Sequence, residues 1–221
     1  MKLKNLIVAA ALAVAATGAH AATVTYNFSG NQLPVPSLSF GGGGSPGLTV
    51  TATDYNNTNG NITGPAWNLG RYGGGIGICS GTVTGSGTGC GGGDSHQVDG
   101  STTNGDEMAI FTFDQTVTLV SVGFSLIDSN DQFDFRMYNP NGSFFSSVDP
   151  GPNGSPTYTF GSTWTGTVFG IGASDTNDNF KIRSMTVEFK DGGGGVIPLP
   201  AAGWLLLSAF GGLGLMRRRK G

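Results

Sequence analysis

The sequence predicts an all-β fold, an antiparallel β-sandwich of jelly-roll type, and three observations support this prediction. Apolar and polar residues alternate in short runs, as they do in half-buried strands. Glycine, proline and asparagine separate these runs and predict turns between them. Helical periodicity is missing from residues 22–190. Many short strands joined by polar turns are typical of sandwiches and jelly rolls.

The strands are clearest in the second half of this region. Phe133, Phe135 and Met137 alternate with polar side chains, and Asn139-Pro140-Asn141-Gly142 predicts the turn that follows. The apolar parity changes within a long run, so we expect a β-bulge near Leu119-Val120. We place the other strands at 23–29, 48–53, 108–113, 143–148, 158–160, 163–171 and 181–190.

Glycine is distributed unevenly along the chain. Residues 41–105 hold 21 glycines, whereas residues 106–190 hold eight glycines and eleven phenylalanines. We therefore expect the first region to consist mainly of loops and the second to supply most of the core. A length of about 170 residues suits one domain with a sizeable core.

The first 21 residues have the three parts of a secretory signal peptide. Lys2 and Lys4 precede an apolar stretch at 6–16, and Ala19-His20-Ala21 follows it. This order predicts export and cleavage after Ala21. The apolar stretch is too short to span a membrane as a permanent helix.

The C-terminal segment, 196–221, has a different three-part pattern. The proline motif Ile197-Pro198-Leu199-Pro200-Ala201 precedes an uncharged apolar run that ends at residue 216, and the basic cluster Arg217-Arg218-Arg219-Lys220 follows. The run predicts a short membrane helix, marginal for a hydrocarbon core of about 30 Å. The basic cluster places the C-terminus in the cytoplasm and the preceding domain on the periplasmic side. Residues 191–195 form a glycine-rich linker.

This tail resembles the VPLPA variant of the PEP-CTERM sorting signals, which occur on exported proteins of diderm bacteria. Leu199 stands where the commoner motif has Glu, and Ile197 where the variant has Val. The resemblance implies processing by signal peptidase and by an exosortase-type protease, with the inner membrane as a transient anchor. The product would reach the cell surface or the extracellular matrix. A permanent single-pass anchor is the alternative.

The exported region, 22–190, also resembles the uncharacterised β-sandwich domains that such sorting signals carry. The shared layout is a glycine-rich segment bracketed by cysteines, then Asp94-Ser95-His96-Gln97-Val98-Asp99, then the Asp106-Glu107 pair at the start of a strand. Asp178-Asn179-Phe180 precedes the last strand. This second resemblance implies no particular activity.

The exported region is acidic once both ends are removed. Residues 22–191 hold five basic and 14 acidic residues, a net charge near −9. Nucleic acid and anionic membranes are poor partners for such a surface. Cys79 and Cys90 are the two cysteines of the chain, and in an oxidising compartment we expect a disulfide between them. A zinc site is disfavoured, because the spacing shows no set of four ligands.

Catalytic motifs are sparse in the exported region. His96 is its one histidine, and neither Ser95 nor Ser101 lies in a motif that supports a Ser-His-Asp triad with Asp94 or Asp99. The glycine runs lack the Gly-Lys-Ser/Thr ending of phosphate-binding loops. We therefore expect no enzyme activity, and a secreted hydrolase is a third alternative.

Two groups of residues are candidates for ligand binding. Loop carboxylates could hold a structural calcium ion if loops of the first half meet the loop at 175–178, and water-facing turns and caps are the alternative. Trp67 and Trp164 could stack on a sugar, and core packing is the alternative for both. The calcium candidates are Asp94, Asp99, Asp106, Glu107, Asp175 and Asp178.

Together these patterns predict an exported cell-surface or matrix protein with a structural or adhesive role. A carbohydrate-binding module of the envelope or matrix, with polysaccharide as its partner, is the alternative function. Apart from the calcium ion, the sequence implies no cofactor.

Overall fold

The computed structural model describes residues 21–55, 62–81, 83, 90, 91, 94–100, 105–148, 154–161 and 163–190. The described part contains strands and no helix, and its named strands pair antiparallel throughout. Residues 21–190 form one compact unit. The strands are β1 (Ala21–Asn27), β2 (Gln32–Val35), β3 (Ser37–Gly42), β4 (Ser45–Tyr55), β5 (Ile62–Tyr72), β6 (Gly75–Cys79), β7 (Val98–Asp99), β8 (Glu107–Ser125), β9 (Asp134–Tyr138), β10 (Phe144–Val148), β11 (Thr157–Thr159), β12 (Thr165–Ala173) and β13 (Asn179–Lys190).

The prediction of an all-β, antiparallel fold is confirmed, whereas the jelly-roll form stays a prediction. In the second half, the predicted strands at 143–148, 158–160, 163–171 and 181–190 are present with ends shifted by one or two residues, whereas the predicted strand at 108–113 is the first part of one long strand, β8. The turn after β9 is also present. Gly142 N–H donates to the carbonyl oxygen of Asn139 at 2.8 Å, and Gly142 has a φ of 81°, which suits glycine.

β8 has 19 residues and pairs with different neighbours along its two halves. Residues 107–113 lie between β4 and β12, whereas residues 117–125 pair with β13. β13 also pairs with β6, β6 with β5, and β5 with β4. These five strands therefore form a closed circuit of pairing, which reduces the number of free strand edges.

The main core is rich in phenylalanine. Phe111 on β8 is fully buried and packs against Phe28, with 5.7 Å between the ring centroids. Phe135 on β9 lies 4.7 Å from Phe160 by the same measure. Burying a side chain of this size contributes about 1.5–3 kcal/mol relative to leaving it exposed. A smaller cluster comprises Met108, Ile110, Tyr138 and Val168 on strands β8, β9 and β12.

Val120 forms the β-bulge that the change of parity predicted. The register with β13 shifts between Leu119 and Ser121, so Val120 has no partner in that ladder. Its carbonyl oxygen instead accepts a hydrogen bond from Phe160 N–H at 2.8 Å. Leu119 and Val122 are both buried, although regular alternation would place residues three positions apart on opposite faces. The bulge therefore keeps both halves of β8 in phase with the core.

The prediction that the glycine-rich region consists mainly of loops is wrong in part. This region contains β5 and β6, and Leu69, Ile76 and Ile78 are fully buried in the main core. A side chain at Gly77 would clash with the carbonyl oxygen of His96. Glycine at this position permits the close approach of another segment to a packed strand, and does not indicate a loop.

The predicted signal peptide (except Ala21), linker and sorting signal lie outside the described residues. Within the described ranges, no helix has the length and apolarity needed to cross a membrane.

We expect Phe111→Ala to lower the free energy of unfolding by about 3–5 kcal/mol, because it leaves a cavity in the main core. Phe145→Ala is the matched control, since Phe145 is 61% exposed, and should change the free energy by about 0.5 kcal/mol or less. Denaturant unfolding of both variants and of the wild type measures the difference. Equal effects of the two substitutions would contradict this description of the core.

Candidate functional site

Loops from the two halves of the chain meet beside the start of β13, as the calcium prediction required. β7 pairs with the first two residues of β13, and Gly100 N–H donates to the carbonyl oxygen of Asp178 at 3.3 Å. The buried carboxylate of Asp178 accepts from Gln132 N–H at 3.0 Å and from Asp175 N–H at 3.3 Å. Burial raises the pKa of Asp178 to about 6. This side chain therefore joins the loop before β9 to the loop before β13.

Asp94 caps a turn next to the disulfide. Its Oδ2 accepts from Ser80 N–H at 2.9 Å, from the Ser80 hydroxyl at 3.1 Å and from Gly81 N–H at 3.3 Å. Its Oδ1 accepts from His96 N–H at 2.8 Å, and His96 has a φ of 58°. These bonds occupy much of the acceptor capacity of one carboxylate. The contacts of Asp94 are therefore those of a turn cap, which was the alternative to calcium binding.

Glu107 presents a fully buried carboxyl group at the start of β8. Its Oε2 accepts from Asp99 N–H at 3.0 Å, whereas its Oε1 has no hydrogen-bond partner. Burial, together with the charges of Asp99 and Asp94, raises the pKa of Glu107 well above its ordinary value. Burial also raises the pKa of Asp99, whose Oδ2 accepts from the Ser95 hydroxyl at 2.5 Å. The neutral form of Glu107 is therefore favoured in the folded protein.

Asp106 belongs to a different group of carboxylates, although it precedes Glu107 directly. Burial is the main cause that raises its pKa to about 6, followed by the charges of Asp54, Asp134 and Asp175. The six calcium candidates therefore lie in more than one group around this edge of the fold. A calcium site at these residues stays a prediction.

Cys79 and Cys90 form the predicted disulfide, with their Cα atoms 5.7 Å apart. Across the described residues, one trio of potential metal-ligand atoms lies within 4.8 Å, and it consists of Asp94 and these two cysteines. Because both sulfur atoms are bonded to each other, they are not available as thiolate ligands. This trio therefore does not constitute a metal centre.

His96 does not complete a triad with Ser95. The Ser95 hydroxyl donates to Asp99, not to the imidazole. The imidazole packs edge-on against Tyr72, with 5.7 Å between the ring centroids, and its Nε2 is buried with no hydrogen-bond partner. Ser101, the other nucleophile considered, lies outside the described residues.

Trp67 and Trp164 are both partly buried and pack against the main core. Trp164 lies edge-on to Phe135, with 4.9 Å between the ring centroids. Trp67 lies on β5 opposite Ala52 of β4. These contacts correspond to the packing alternative, and sugar stacking by either tryptophan stays a prediction.

A polar cavity of about 260 Å³ lies beside the meeting loops, at the end of β12 and along β9 and β10. The pairing of β9 with β10 places Ser147 opposite Arg136, and Gln132 Nε2 donates to Asp175 Oδ2 at 2.6 Å. The cavity combines a guanidinium, two carboxylates, an amide and two hydroxyls. The polar side chains that line it are Gln132, Asp134, Arg136, Ser147, Ser174 and Asp175.

Sequence reasoning missed this cavity, because the strand pattern does not show that Arg136 is buried. The alternation in β9 places Asp134 and Arg136 on the face opposite Phe135, and the sequence alone favoured a solvent-exposed face there. Arg136 is instead buried, with 4% of its surface exposed. A buried arginine two positions from an aspartate is a signal for a binding site, but the strand pattern does not reveal the burial.

No protein-family model and no curated protein matches this chain. Among solved structures, the chain is similar to the family 32 carbohydrate-binding module of C. perfringens NanJ, solved in complex with galactose. The identity is 13%, the match covers 64% of this chain and 93% of that chain, and the TM-score is 0.30. A likeness of this degree supports no inference about the function of this chain.

Glu107→Gln tests the burial of this carboxyl group. Because its folded-state pKa lies above the unfolded value near 4.5, the free energy of unfolding should fall as pH rises through the interval between the two. The amide carries no charge, so the variant should lose the part of this decrease that Glu107 contributes, whereas Asp99, Asp106 and Asp178, whose pKa values are also raised, keep theirs. At pH 8 we expect it to be more stable than the wild type by about 1–3 kcal/mol.

Denaturant unfolding between pH 4 and pH 9 provides the measurement. Glu188→Gln is the matched control, because Glu188 is exposed on β13, and its pH dependence should equal that of the wild type. A wild-type slope retained in Glu107→Gln would show that another group causes the decrease.

Proposed function

We propose that this chain is an exported protein of the bacterial cell surface or extracellular matrix, with a structural or adhesive role and no catalytic one. One observation carries the proposal, which is the three-part order of the C-terminal segment: the proline motif 197–201, the short apolar run and the basic cluster 217–220. Signal peptidase would remove residues 1–21, and an exosortase-type protease would act at the proline motif. The exported domain would be a β-sandwich of jelly-roll type.

Two features of the folded domain support export followed by tethering. The disulfide between Cys79 and Cys90 is of a kind that persists in oxidising compartments. β1 and β13 are antiparallel neighbours, with Ala22 opposite Phe189. Both ends of residues 22–190 therefore leave the domain from the same place. Attachment through Lys190 would leave surfaces near the start of β13 free to contact a partner.

Binding to a carbohydrate of the envelope or matrix is the second candidate function, and the polar cavity favours it. Small-ligand sites are concave and carry a few convergent polar groups, which is the arrangement around Asp134 and Arg136. Such binding would be one means by which the domain adheres.

Intact-mass measurement of the chain purified from its native host tests the proposed sorting. We expect a product that begins at Ala22 and lacks Trp204 and the basic cluster 217–220. Combined Pro198→Ala and Pro200→Ala substitution should leave the tail attached and the chain in the inner membrane. Pro36→Ala, an exposed proline outside the motif, is the control and should be processed normally. A wild-type product that keeps Trp204 and remains in the inner membrane would refute the proposal.

A further inference from the structure

We propose that the polar cavity along β9 and β10 binds a single neutral saccharide ring, as found at the end of a glycan chain. This inference rests on the proposed adhesive function and deepens it, because it names the chemical class of ligand that the exported domain would hold. The hydrogen-bonding groups, the charge, the volume and an adjacent aromatic surface all support it.

The side chains of the cavity match the hydrogen-bonding capacity of neighbouring hydroxyl groups. Arg136 offers only donors, the carboxyl oxygens of Asp134 and Asp175 offer acceptors, and Gln132 offers both. Each saccharide hydroxyl donates and accepts, so a pair of them can join a guanidinium to a carboxylate through charge-assisted bonds. The 2.6 Å bond from Gln132 Nε2 to Asp175 Oδ2 orients both side chains before a ligand binds.

The charge of the cavity disfavours anionic ligands. Asp134 and Asp175 outnumber Arg136 among its lining groups. Asp106 lies close enough for both carboxylates to contribute to its raised pKa of about 6, and above that pH it adds further negative potential. These carboxylates would repel a phosphate, sulfate or uronate, whereas they would not repel a neutral sugar.

The volume limits the ligand to one ring. A cavity of about 260 Å³ is somewhat smaller than the range of about 300–1,000 Å³ that accommodates drug-sized ligands. It has room for one six-membered ring with its hydroxyls, and several rings in a row would not fit. We therefore infer recognition of a chain end or a single sugar, and not of an internal stretch of polysaccharide.

An exposed aromatic surface adjoins the cavity on β10. Phe144 is 37% exposed and lies over Arg136, with 5.7 Å between its ring centroid and Cζ of the guanidinium. Phe145, the next residue, is 61% exposed. Aromatic rings offer a large apolar face, against which the C–H groups of a sugar can pack. Trp67 and Trp164, in contrast, pack against the core.

The position of the cavity suits a tethered domain. Ser174 and Asp175 lie in the loop just before β13, whereas Lys190 is the last residue of that strand. A strand of 12 residues spans about 40 Å. A glycan can therefore reach the cavity far from the place where both ends of the domain leave it.

Calorimetric titration of the full-length chain, in a detergent without sugar headgroups, tests the site. The probes are glucose, galactose, mannose, N-acetylglucosamine and glucuronate. We expect at least one of the neutral sugars to bind with a millimolar dissociation constant, and glucuronate to bind more weakly by about tenfold. Ser147→Trp, which fills the cavity from an exposed position, should weaken binding by about tenfold or more.

A second variant and two controls keep the test independent of folding. Asp175→Ala removes an exposed acceptor and should also weaken binding by about tenfold. Ser39→Trp and Glu188→Ala make the same kinds of change at exposed positions on β3 and β13 and should leave binding unaltered. The site is refuted if no neutral sugar binds, or if Ser147→Trp and Asp175→Ala bind as the wild type does. Binding of Ca²⁺ that Asp175→Ala abolishes, without any sugar binding, would also refute it.

Failure of the site and failure of the proposed function have different signatures. In one experiment, cells that display the chain attach to a surface whose glycans have been oxidised with periodate. Attachment equal to that on the untreated surface would support the adhesive function and overturn the saccharide site. A chain that never reaches the surface, while the purified protein still binds a neutral sugar, would overturn the proposed function alone.

Discussion

The double pairing of β8 is the constraint on which the rest of the structure depends. Its first half lies between β4 and β12, and its second half pairs with β13. The bulge at Val120 re-phases the strand, so both halves direct apolar residues into the same core. The start of β8 carries Glu107, and the start of β13 follows Asp178. A strand that kept only one set of partners would separate the loops that meet at this edge.

The acidic residues at this edge act first on the fold. Asp94 and Asp178 accept backbone N–H groups and thereby hold turns and loops in place. Carboxylates with raised pKa values occur in structural networks as well as in binding sites, so the shift alone does not assign a function. The contacts make that distinction here. Backbone hydrogen bonds assign Asp94 and Asp178 to structure, whereas Asp134 and Asp175 line the cavity.

The proposed attachment and the proposed binding site use opposite ends of β13. The pairing of Ala22 with Phe189 brings both ends of the domain together, and the cavity lies near the other end of β13. The phenylalanine-rich core and the closed circuit of strands provide a rigid scaffold between these two ends.

Local patterns in the chain were enough to specify much of the second half. The alternation around Phe135 predicted β9, and the change of parity predicted the bulge at Val120, because side-chain direction in a strand has a period of two residues. The disulfide followed from two cysteines in a chain predicted to be exported. Each of these features depends on residues that are neighbours in sequence or on covalent chemistry. Each can therefore be predicted from the sequence alone.

Tertiary structure alone decided the use of the glycines, the grouping of the acids and the existence of the cavity. Position 77 in a packed strand requires glycine because the backbone of His96 approaches it. Nothing near Gly77 in sequence indicates that approach. Asp106 and Glu107 are adjacent in the chain, and burial raises the pKa of both, yet the charged neighbours that add to the shift differ between them. Ser147 and Asp175 come together through strand pairing and a distant loop. Such contacts join residues far apart in the chain, and only folding determines which of them meet.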